Sequence, residues 1–243
     1  MSKQDFVYSP PKEPFLNILY KDEHIAVIDK PSGLLSVPGR QPEAYDSVLA
    51  RLKTLNPEAG AVHRLDMDTS GLMVVGFGKK AIADLGMKFE KKQVKKFYLA
   101  KVAGVIEYRG EVLLPIRCDW ERRPLQIVDF RQGKKSHTSY FPLKIYKNEA
   151  AVCPSSTLVC LIPLTGRSHQ LRVHMAGIGH PILGDRFYAG KDLQDENSGV
   201  LALHSAFLAF THPKTQKPMQ FLSPAAFAEK ALLDKAVSEF IKR

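Results

Sequence analysis

Residues 63–77 read HRLDMDTSGLMVVGF, a polar segment that runs directly into an apolar one. The apolar part, Leu72 to Phe77, is short and rich in valine, as buried strands are. Between residues 79 and 92 the apolar positions recur at helical spacing, with three of them on one face: Ile82, Leu85 and Phe89. This stretch therefore predicts a buried strand followed by an amphipathic helix, with polar and charged side chains gathered just before the strand.

Predicted strands outnumber predicted helices in the rest of the chain. Two apolar runs at residues 15–20 and 24–29, separated by a polar triplet, predict a hairpin. Further strands are predicted at residues 96–102, 125–130, 138–146, 158–162, 200–210 and 219–222. Further helices are predicted at residues 48–55, 168–178 and 225–242, and residues 191–199 are interpreted as a surface loop. Because the strands come in runs, we expect an α+β fold with a largely antiparallel mixed sheet and flanking helices.

The composition is that of a globular protein, with 44% hydrophobic and 25% charged residues in a chain of 243. Residues 1–14 are polar and contain three prolines, so we expect an extended arm before a domain that spans residues 15–243. The three cysteines have no Cys-x-x-Cys spacing, which predicts neither a disulfide frame nor a cysteine zinc site. Since no signal peptide or long apolar stretch is present, we expect a cytoplasmic protein without contact to a membrane.

The charge balance indicates a polyanionic partner. The chain has 35 Lys and Arg residues against 25 Asp and Glu, which gives a formal net charge of +10. A basic surface of this kind attracts nucleic acid, although charge alone is equally explained by a solvated surface. The charge therefore suggests a class of partner but no chemistry.

The segment that precedes the predicted strand at 72–77 admits several interpretations. Oxygen-bearing residues at alternate positions match the first half of a calcium loop: Asp66, Asp68 and Ser70, followed by Gly71. The twelfth position of such a loop would be Phe77, where a bidentate Glu is required, so calcium is disfavoured. A turn that introduces the strand explains Asp68, Thr69 and Ser70. By composition alone, Asp66 is equally a turn residue and a catalytic carboxylate.

Two other site types are tested by spacing. Gly76-Phe77-Gly78 lies where a dinucleotide fingerprint belongs, but the acidic residue expected about 20 positions later is missing. A cofactor that carries an extra phosphate tolerates basic residues there, so this interpretation stays open. His169 and His174 are five residues apart and do not share a helix face as an i, i+4 metal-binding pair does. We therefore predict no metal site.

Four ordered motifs resemble the RluA-type pseudouridine synthases. His63-Arg64-Leu65-Asp66-x-x-Thr69-Ser70-Gly71 is similar to the signature of that family. The other three are an early turn, a tyrosine strand and a late arginine motif: Lys30-Pro31-Ser32-Gly33-Leu34, Lys96-Phe97-Tyr98 and the run Pro163 to Arg172. The resemblance implies the pseudouridine synthase catalytic fold with a central RNA-binding cleft, uridine isomerisation in structured RNA, and no cofactor.

The resemblance also implies roles for individual residues. Asp66 would be the catalytic carboxylate, with Tyr98 as the base platform and Arg167 as its cationic partner. Arg64 would fill the space that the flipped base leaves. Ile162 or Leu164 would wall the base site, and basic residues would hold RNA phosphates: Lys91, Lys92, Arg122 and Arg123.

Three further segments resemble the branch of the family that modifies both tRNA and large-subunit rRNA: Leu35 to Arg40, Cys118-Asp119-Trp120 and Gly184 to Ala189. This implies two RNA partners, the tRNA anticodon stem-loop with its position 32 and a 23S rRNA hairpin. We expect no N-terminal S4-like domain, and nothing in the sequence demands more than a monomer.

Overall fold

The computed structural model describes residues 8–147, 155–194 and 199–242. The chain forms two compact units. The first contains the residues up to Gln93 together with Phe210–Met219, and the second contains Val94–Ala209 and the residues from Gln220 onward. Within the described ranges, no helix is both long and apolar enough to cross a membrane.

The first unit is built on antiparallel strands. They are β1 (Asn17–Lys21), β2 (Ile25–Lys30), β3 (Ala59–Ala61) and β4 (Ser70–Phe77), in the order β1-β2-β4, with β3 also paired to β4. Residues 25–28 and 72–75 have no exposed surface, because both faces of β2 and β4 are covered. The apolar run at residues 72–77 is therefore part of a central strand of this unit.

Two helices accompany these strands. Helix α1 (Val48–Leu55) begins after Ser47, whose hydroxyl accepts a hydrogen bond from the amide of Ala50 at 3.1 Å, and a 3₁₀ turn (Pro42–Ala44) precedes it. Helix α2 (Gly78–Glu90) follows β4 directly. A Cβ at Gly76 would lie 3.0 Å from the backbone nitrogen of Ile82, so the glycine lets the helix pack closely on the strand. Packing therefore explains this glycine of the Gly-x-Gly pattern.

The second unit holds the longer strands. They are β5 (Lys95–Ala103), β6 (Gly110–Val112), β9 (Thr138–Tyr146), β10 (Ser156–Pro163) and β11 (Leu203–Thr211), in the order β11-β5-β10-β9-β6, and β12 (Pro218–Leu222) pairs with β11. A separate two-stranded ribbon consists of β7 (Ile116–Cys118) and β8 (Gln126–Val128). The helices are α3 (Gln170–Gly177), α4 (Lys191–Gln194) and α5 (Lys230–Ile241). Residues of α5, including Leu233 and Ala236, complete a core cluster with Phe97, Leu158 and Phe207.

The α+β prediction with a largely antiparallel sheet is confirmed, and four local predictions are wrong. The last helix begins at Lys230 instead of residue 225, because a turn closed by the Ala228 amide and the Ala225 carbonyl comes first. Helix α3 begins at Gln170 instead of residue 168, because His169 has a left-handed φ of 51°. Strand β11 begins at Leu203 instead of residue 200. Residues 191–194, which were predicted to belong to a surface loop, form a short helix. The short strands β3, β6 and β7 carry too little periodicity to be predicted from sequence.

Candidate active site

Asp66 lies in a tight turn immediately before β4. The backbone carbonyl of Asp66 accepts a hydrogen bond from the amide of Thr69 at 3.2 Å, and the strand begins at Ser70. Asp66 is half-buried, whereas Thr69 is only 2% exposed. The turn therefore presents the Asp66 carboxylate from a backbone that is anchored on its C-terminal side by a buried residue.

Lys30, the last residue of β2, lies beneath this turn. Its side chain is completely buried, and its ammonium group donates to three backbone carbonyls: Pro31 at 2.9 Å, Leu34 at 2.7 Å and Met67 at 2.9 Å. Burial lowers the pKa of Lys30 to about 7, although the charges of Asp68 and Asp66 oppose this shift. Lys30 thus fixes the peptide that follows Asp66 and places a buried titratable group next to it.

The backbone of residues 65–68 receives further hydrogen bonds from the segment after Lys30. Ser36 exchanges two hydrogen bonds with Leu65: its hydroxyl donates to the Leu65 carbonyl at 2.7 Å, and the Leu65 amide donates to the hydroxyl at 2.9 Å. The hydroxyl of Ser32 donates to the carbonyl of Asp68 at 2.8 Å. Both residues flanking Asp66 are therefore held in place, which preorganises the carboxylate.

His63 orients the start of the motif. Its Nε2 accepts a hydrogen bond from the amide of Val74 at 3.0 Å, and its ring stacks on Phe89 of α2 with centroids 4.3 Å apart. The next side chain, Arg64, is exposed, and Leu65 is buried. Arg64 is thus an exposed residue between two residues that pack against the first unit.

Tyr98 lies on β5 in the second unit and is 9% exposed. It pairs with Leu161 of β10, so the two side chains share one face of the sheet. Ile162, the next residue of β10, points to the other face and packs against the core cluster that α5 completes. Ile162 therefore lies on the face opposite Tyr98, and the choice between Ile162 and Leu164 as the apolar wall of the base site stays a prediction.

Arg167 lies in the turn between β10 and α3. Its backbone amide donates to the side-chain oxygen of Gln170 at 3.0 Å, and the hydroxyl of Thr165 donates to the same oxygen at 2.7 Å. The side-chain amide of Gln170 donates in turn to the His137 carbonyl and to the Thr138 hydroxyl, both at 3.0 Å. Gln170 is 4% exposed, so all its hydrogen bonds are made inside the protein.

The hydrogen-bond chain continues beneath this turn. His174, on the next turn of α3, contacts the Thr138 hydroxyl through Nδ1 at 2.9 Å and the Ser136 hydroxyl through Nε2 at 2.9 Å. Burial lowers the pKa of His174, which keeps its ring neutral at pH 7. The Arg167 turn is therefore supported by a buried polar network that reaches β9.

The remaining predicted residues lie on the surface. Leu164 is 40% exposed and follows β10, while Lys91 and Lys92 are exposed and follow α2. Arg122 forms an ion pair with Asp119 at 2.7 Å, and Arg123 lies over a tryptophan ring. Exposure of all four cations is compatible with the predicted phosphate contacts.

The structure distributes the predicted residues over both units. Asp66 and Arg64 belong to the first, and Tyr98, Leu164 and Arg167 belong to the second. Sequence reasoning treated Lys30 only as part of a turn and missed its support of the Asp66 turn. It also missed Gln170 as the residue that holds Arg167.

Comparison with known proteins identifies the class of protein. The model of the family described as RNA pseudouridylate synthase matches residues 24–177. The chain belongs to this family and isomerises uridine to pseudouridine in RNA, which confirms the predicted enzyme class.

Individual relatives cover nearly the whole chain. It is 48% identical, over 221 residues, to the Dual-specificity RNA pseudouridine synthase RluA of Pasteurella multocida (strain Pm70) and to that of Escherichia coli (strain K12); each match covers 90% of this chain and 98% of the relative. The solved structure of Human RNA Pseudouridylate Synthase Domain Containing 1 is similar, with a TM-score of 0.75 and 27% identity over 94% of this chain and 95% of that one. The sequence similarity thus extends well beyond the motifs.

Proposed function

We propose that the enzyme modifies two RNAs, the tRNA anticodon stem-loop at position 32 and a hairpin of 23S rRNA. The support is the 48% identity to relatives named dual-specificity enzymes, over 90% of this chain. The segments Leu35 to Arg40 and Gly184 to Ala189 resemble the same branch. The substrate in both cases is a uridine in a loop, whose base can leave its stack.

Asp66 is the catalytic carboxylate of this proposal. The reaction breaks the N1–C1′ bond, turns the uracil and forms a C5–C1′ bond, while the hydrogen on C5 is lost and N1 gains a proton. A carboxylate at the sugar is suited to the positive charge that develops on an anomeric carbon. The observation that carries the assignment is the rigid turn that presents Asp66, with its neighbours Leu65 and Met67 bonded to Ser36 and Lys30.

The other side chains keep the roles that the family resemblance implies. Arg64 is an exposed cation two residues before Asp66, suited to fill the space of the flipped base. Tyr98 offers a ring face for the uracil and a hydroxyl for proton relay. Arg167 supplies positive charge for the ionised carboxylate, and Leu164 supplies an apolar contact.

Phosphate binding by surface cations completes the proposal. Lys91, Lys92, Arg122 and Arg123 hold the RNA backbone without reading its sequence, so affinity should fall steeply with salt. We also propose that residues 15–243 act together as the catalytic domain of a monomeric enzyme.

The test uses two transcripts, a tRNA anticodon stem-loop and a 23S rRNA hairpin, in which pseudouridines are mapped after incubation with the protein alone. We expect modification of the tRNA at position 32 and of one loop uridine in the hairpin. A transcript with cytidine at position 32 is the control. Modification of only one of the two RNAs would contradict dual specificity, and modification of neither would contradict both proposed substrates.

A further inference from the structure

Trp120 has an unusual environment for a tryptophan. It lies in the loop that joins β7 to β8 and is 67% exposed, although tryptophan side chains are on average highly buried. It is also the only tryptophan of the chain. Tryptophan is enriched at binding interfaces, because its ring combines a large apolar surface with one polar group.

The Trp120 ring is held in place on one side. The guanidinium carbon of Arg123 lies 3.9 Å from the ring centroid, which is the distance of a cation–π contact. Because Arg123 covers one face and most of the side chain is exposed, the opposite face is open to solvent. The ring therefore offers a flat, oriented surface of the size of a nucleobase.

The loop that carries Trp120 is itself ordered by Asp119, which is 7% exposed. Its carboxylate accepts from the side chain of Arg122 at 2.7 Å and from the amide of the same residue at 3.3 Å. Burial raises the pKa of Asp119, but the hydrogen bonds and the charge of Arg122 outweigh burial, so the pKa lies below its usual value. The backbone amide of Asp119 also donates to the Leu125 carbonyl at 2.9 Å, which closes the loop.

The charge around the ribbon is complementary to RNA. Residues 116–135 contain six cationic and three acidic side chains. Two of the acids are already paired, Asp119 with Arg122 and Asp129 with Arg117 at 2.6 Å. With Arg123 over the Trp120 ring, three cations and one acid of this segment remain, which leaves it a net positive charge that attracts phosphates.

The ribbon is anchored to the turn that carries Arg167. The amide of Gln126 in β8 donates to the hydroxyl of Tyr188 at 2.9 Å, and that hydroxyl is hydrogen bonded to Nδ1 of His169 at 2.7 Å. The Nε of Arg167 donates to the carbonyl of Lys135 at 3.3 Å. An RNA that binds at the ribbon is thus connected through two hydrogen-bonded paths to the Arg167 turn.

We propose that Trp120 and Arg123 form a stacking platform for an unpaired base of the substrate RNA other than the uridine that reacts. The inference rests on the proposed function for the identity of that RNA. Stacking of this kind tolerates any base, because every base has a π-face. The platform contributes affinity and orientation, and the chemistry stays with Asp66.

Since Trp120 is the sole tryptophan, its fluorescence reports directly on the platform. The probe is an anticodon stem-loop RNA, with a fully paired RNA duplex of equal length as control, and binding is measured separately by filter retention. We expect the bound stem-loop to quench Trp120 emission and the bound duplex to leave it nearly unchanged. A stem-loop that binds without changing the emission would overturn the proposal.

Variants provide an independent test. Trp120→Ala should weaken stem-loop binding and raise KM by about 5- to 100-fold, the range expected for one lost stacking contact, with kcat unchanged. Trp120→Phe should recover most of the affinity, and Tyr108→Ala, at a residue 79% exposed but outside the ribbon, should bind like wild type. Wild-type affinity of the Trp120→Ala variant would overturn the platform while leaving the isomerase intact. Quenching without any pseudouridine in wild type would instead overturn the proposed substrates.

Discussion

The side-chain oxygen of Gln170 accepts a hydrogen bond from the backbone amide of Arg167 at 3.0 Å. The same side chain donates to the His137 carbonyl and the Thr138 hydroxyl from a buried position. Gln170 is therefore a positioning residue: it fixes the turn that carries Arg167, the proposed cationic group of the site.

Gln170→Leu should lower kcat by about 10- to 100-fold with a smaller change in KM for RNA, because a misplaced catalytic group costs more in the transition state than in binding. Steady-state kinetics on a stem-loop RNA measure both constants. Gln194→Leu removes an ordinary hydrogen bond to the Ala189 carbonyl, at 3.0 Å, and serves as the control with unchanged kinetics. Equal losses in kcat for the two variants would show that Gln170 has no special role.

Lys30 should make stability depend on pH. Its pKa is about 7 in the folded protein and lies near 10.5 when the chain is unfolded. Between these values only the unfolded state binds the proton, so the free energy of unfolding rises with pH, and the full penalty of the buried charge is present below pH 7.

Urea unfolding of wild type and Lys30→Met at pH 7 and pH 9 measures the contribution of Lys30 to the free energy of unfolding. The variant should be less stable throughout, since three carbonyls lose their donor, and the difference should grow by about 2 kcal/mol in favour of wild type as the pH rises. Lys21→Met, at an exposed position of β1, is the control. A difference that stays constant with pH would contradict the buried, titrating lysine.

Two glycines should respond to alanine with opposite signs. A Cβ at Gly76 would meet the backbone of Ile82 at 3.0 to 3.1 Å, whereas a Cβ at Gly86, inside α2, meets nothing within 4 Å. Gly76→Ala should therefore destabilise the protein by about 1 to 3 kcal/mol, the usual cost of overpacking. Gly86→Ala should stabilise it by about 0.5 to 1 kcal/mol through helix propensity. Chemical denaturation measures the free energy of unfolding of both variants. If Gly76→Ala were more stable than wild type, the close packing of Gly76 against Ile82 would be refuted.

The buried ion pair between Arg172 and Asp185 should be much more important for stability than an exposed one. Its two side chains are 2% and 0% exposed and form two hydrogen bonds of 2.7 Å. Arg172→Met leaves the buried Asp185 carboxylate without its cationic partner and should cost about 3 to 5 kcal/mol. Arg109→Met breaks an exposed 3.9 Å contact with Glu239 and should cost less than about 1 kcal/mol. Similar decreases in the Tm of the two variants would contradict the greater importance of the buried ion pair for stability.

The parts of the fold that sequence predicts well are those set by local patterns. Strand β4 and helix α2 follow from an apolar run and a helical period. The face on which Ile162 lies could not be predicted, because it depends on which side of the sheet α5 covers. The left-handed His169, which delays the start of α3, depends on tertiary contacts around Tyr188.

The candidate site was predictable to a similar extent. Asp66, Arg64 and Arg167 stand in motifs of fixed spacing, so their positions could be named from sequence. Lys30 and Gln170 could not, since their roles consist of hydrogen bonds to backbone groups that are distant in sequence. Lysine is usually exposed to solvent, so burial of Lys30 is not expected from its residue type. Three backbone carbonyls accept hydrogen bonds from its ammonium group and compensate for the burial.

Release of tritium from C5-labelled uridine in stem-loop RNA tests the central assignment most directly. Wild type should release tritium without added metal or nucleotide, and Asp66→Asn should bind the RNA with unchanged affinity but release none, because only the reactive oxygen is lost. Asp68→Asn, two residues along the same turn, should remain active. Wild-type release by folded Asp66→Asn would contradict the assignment of Asp66 as the catalytic carboxylate.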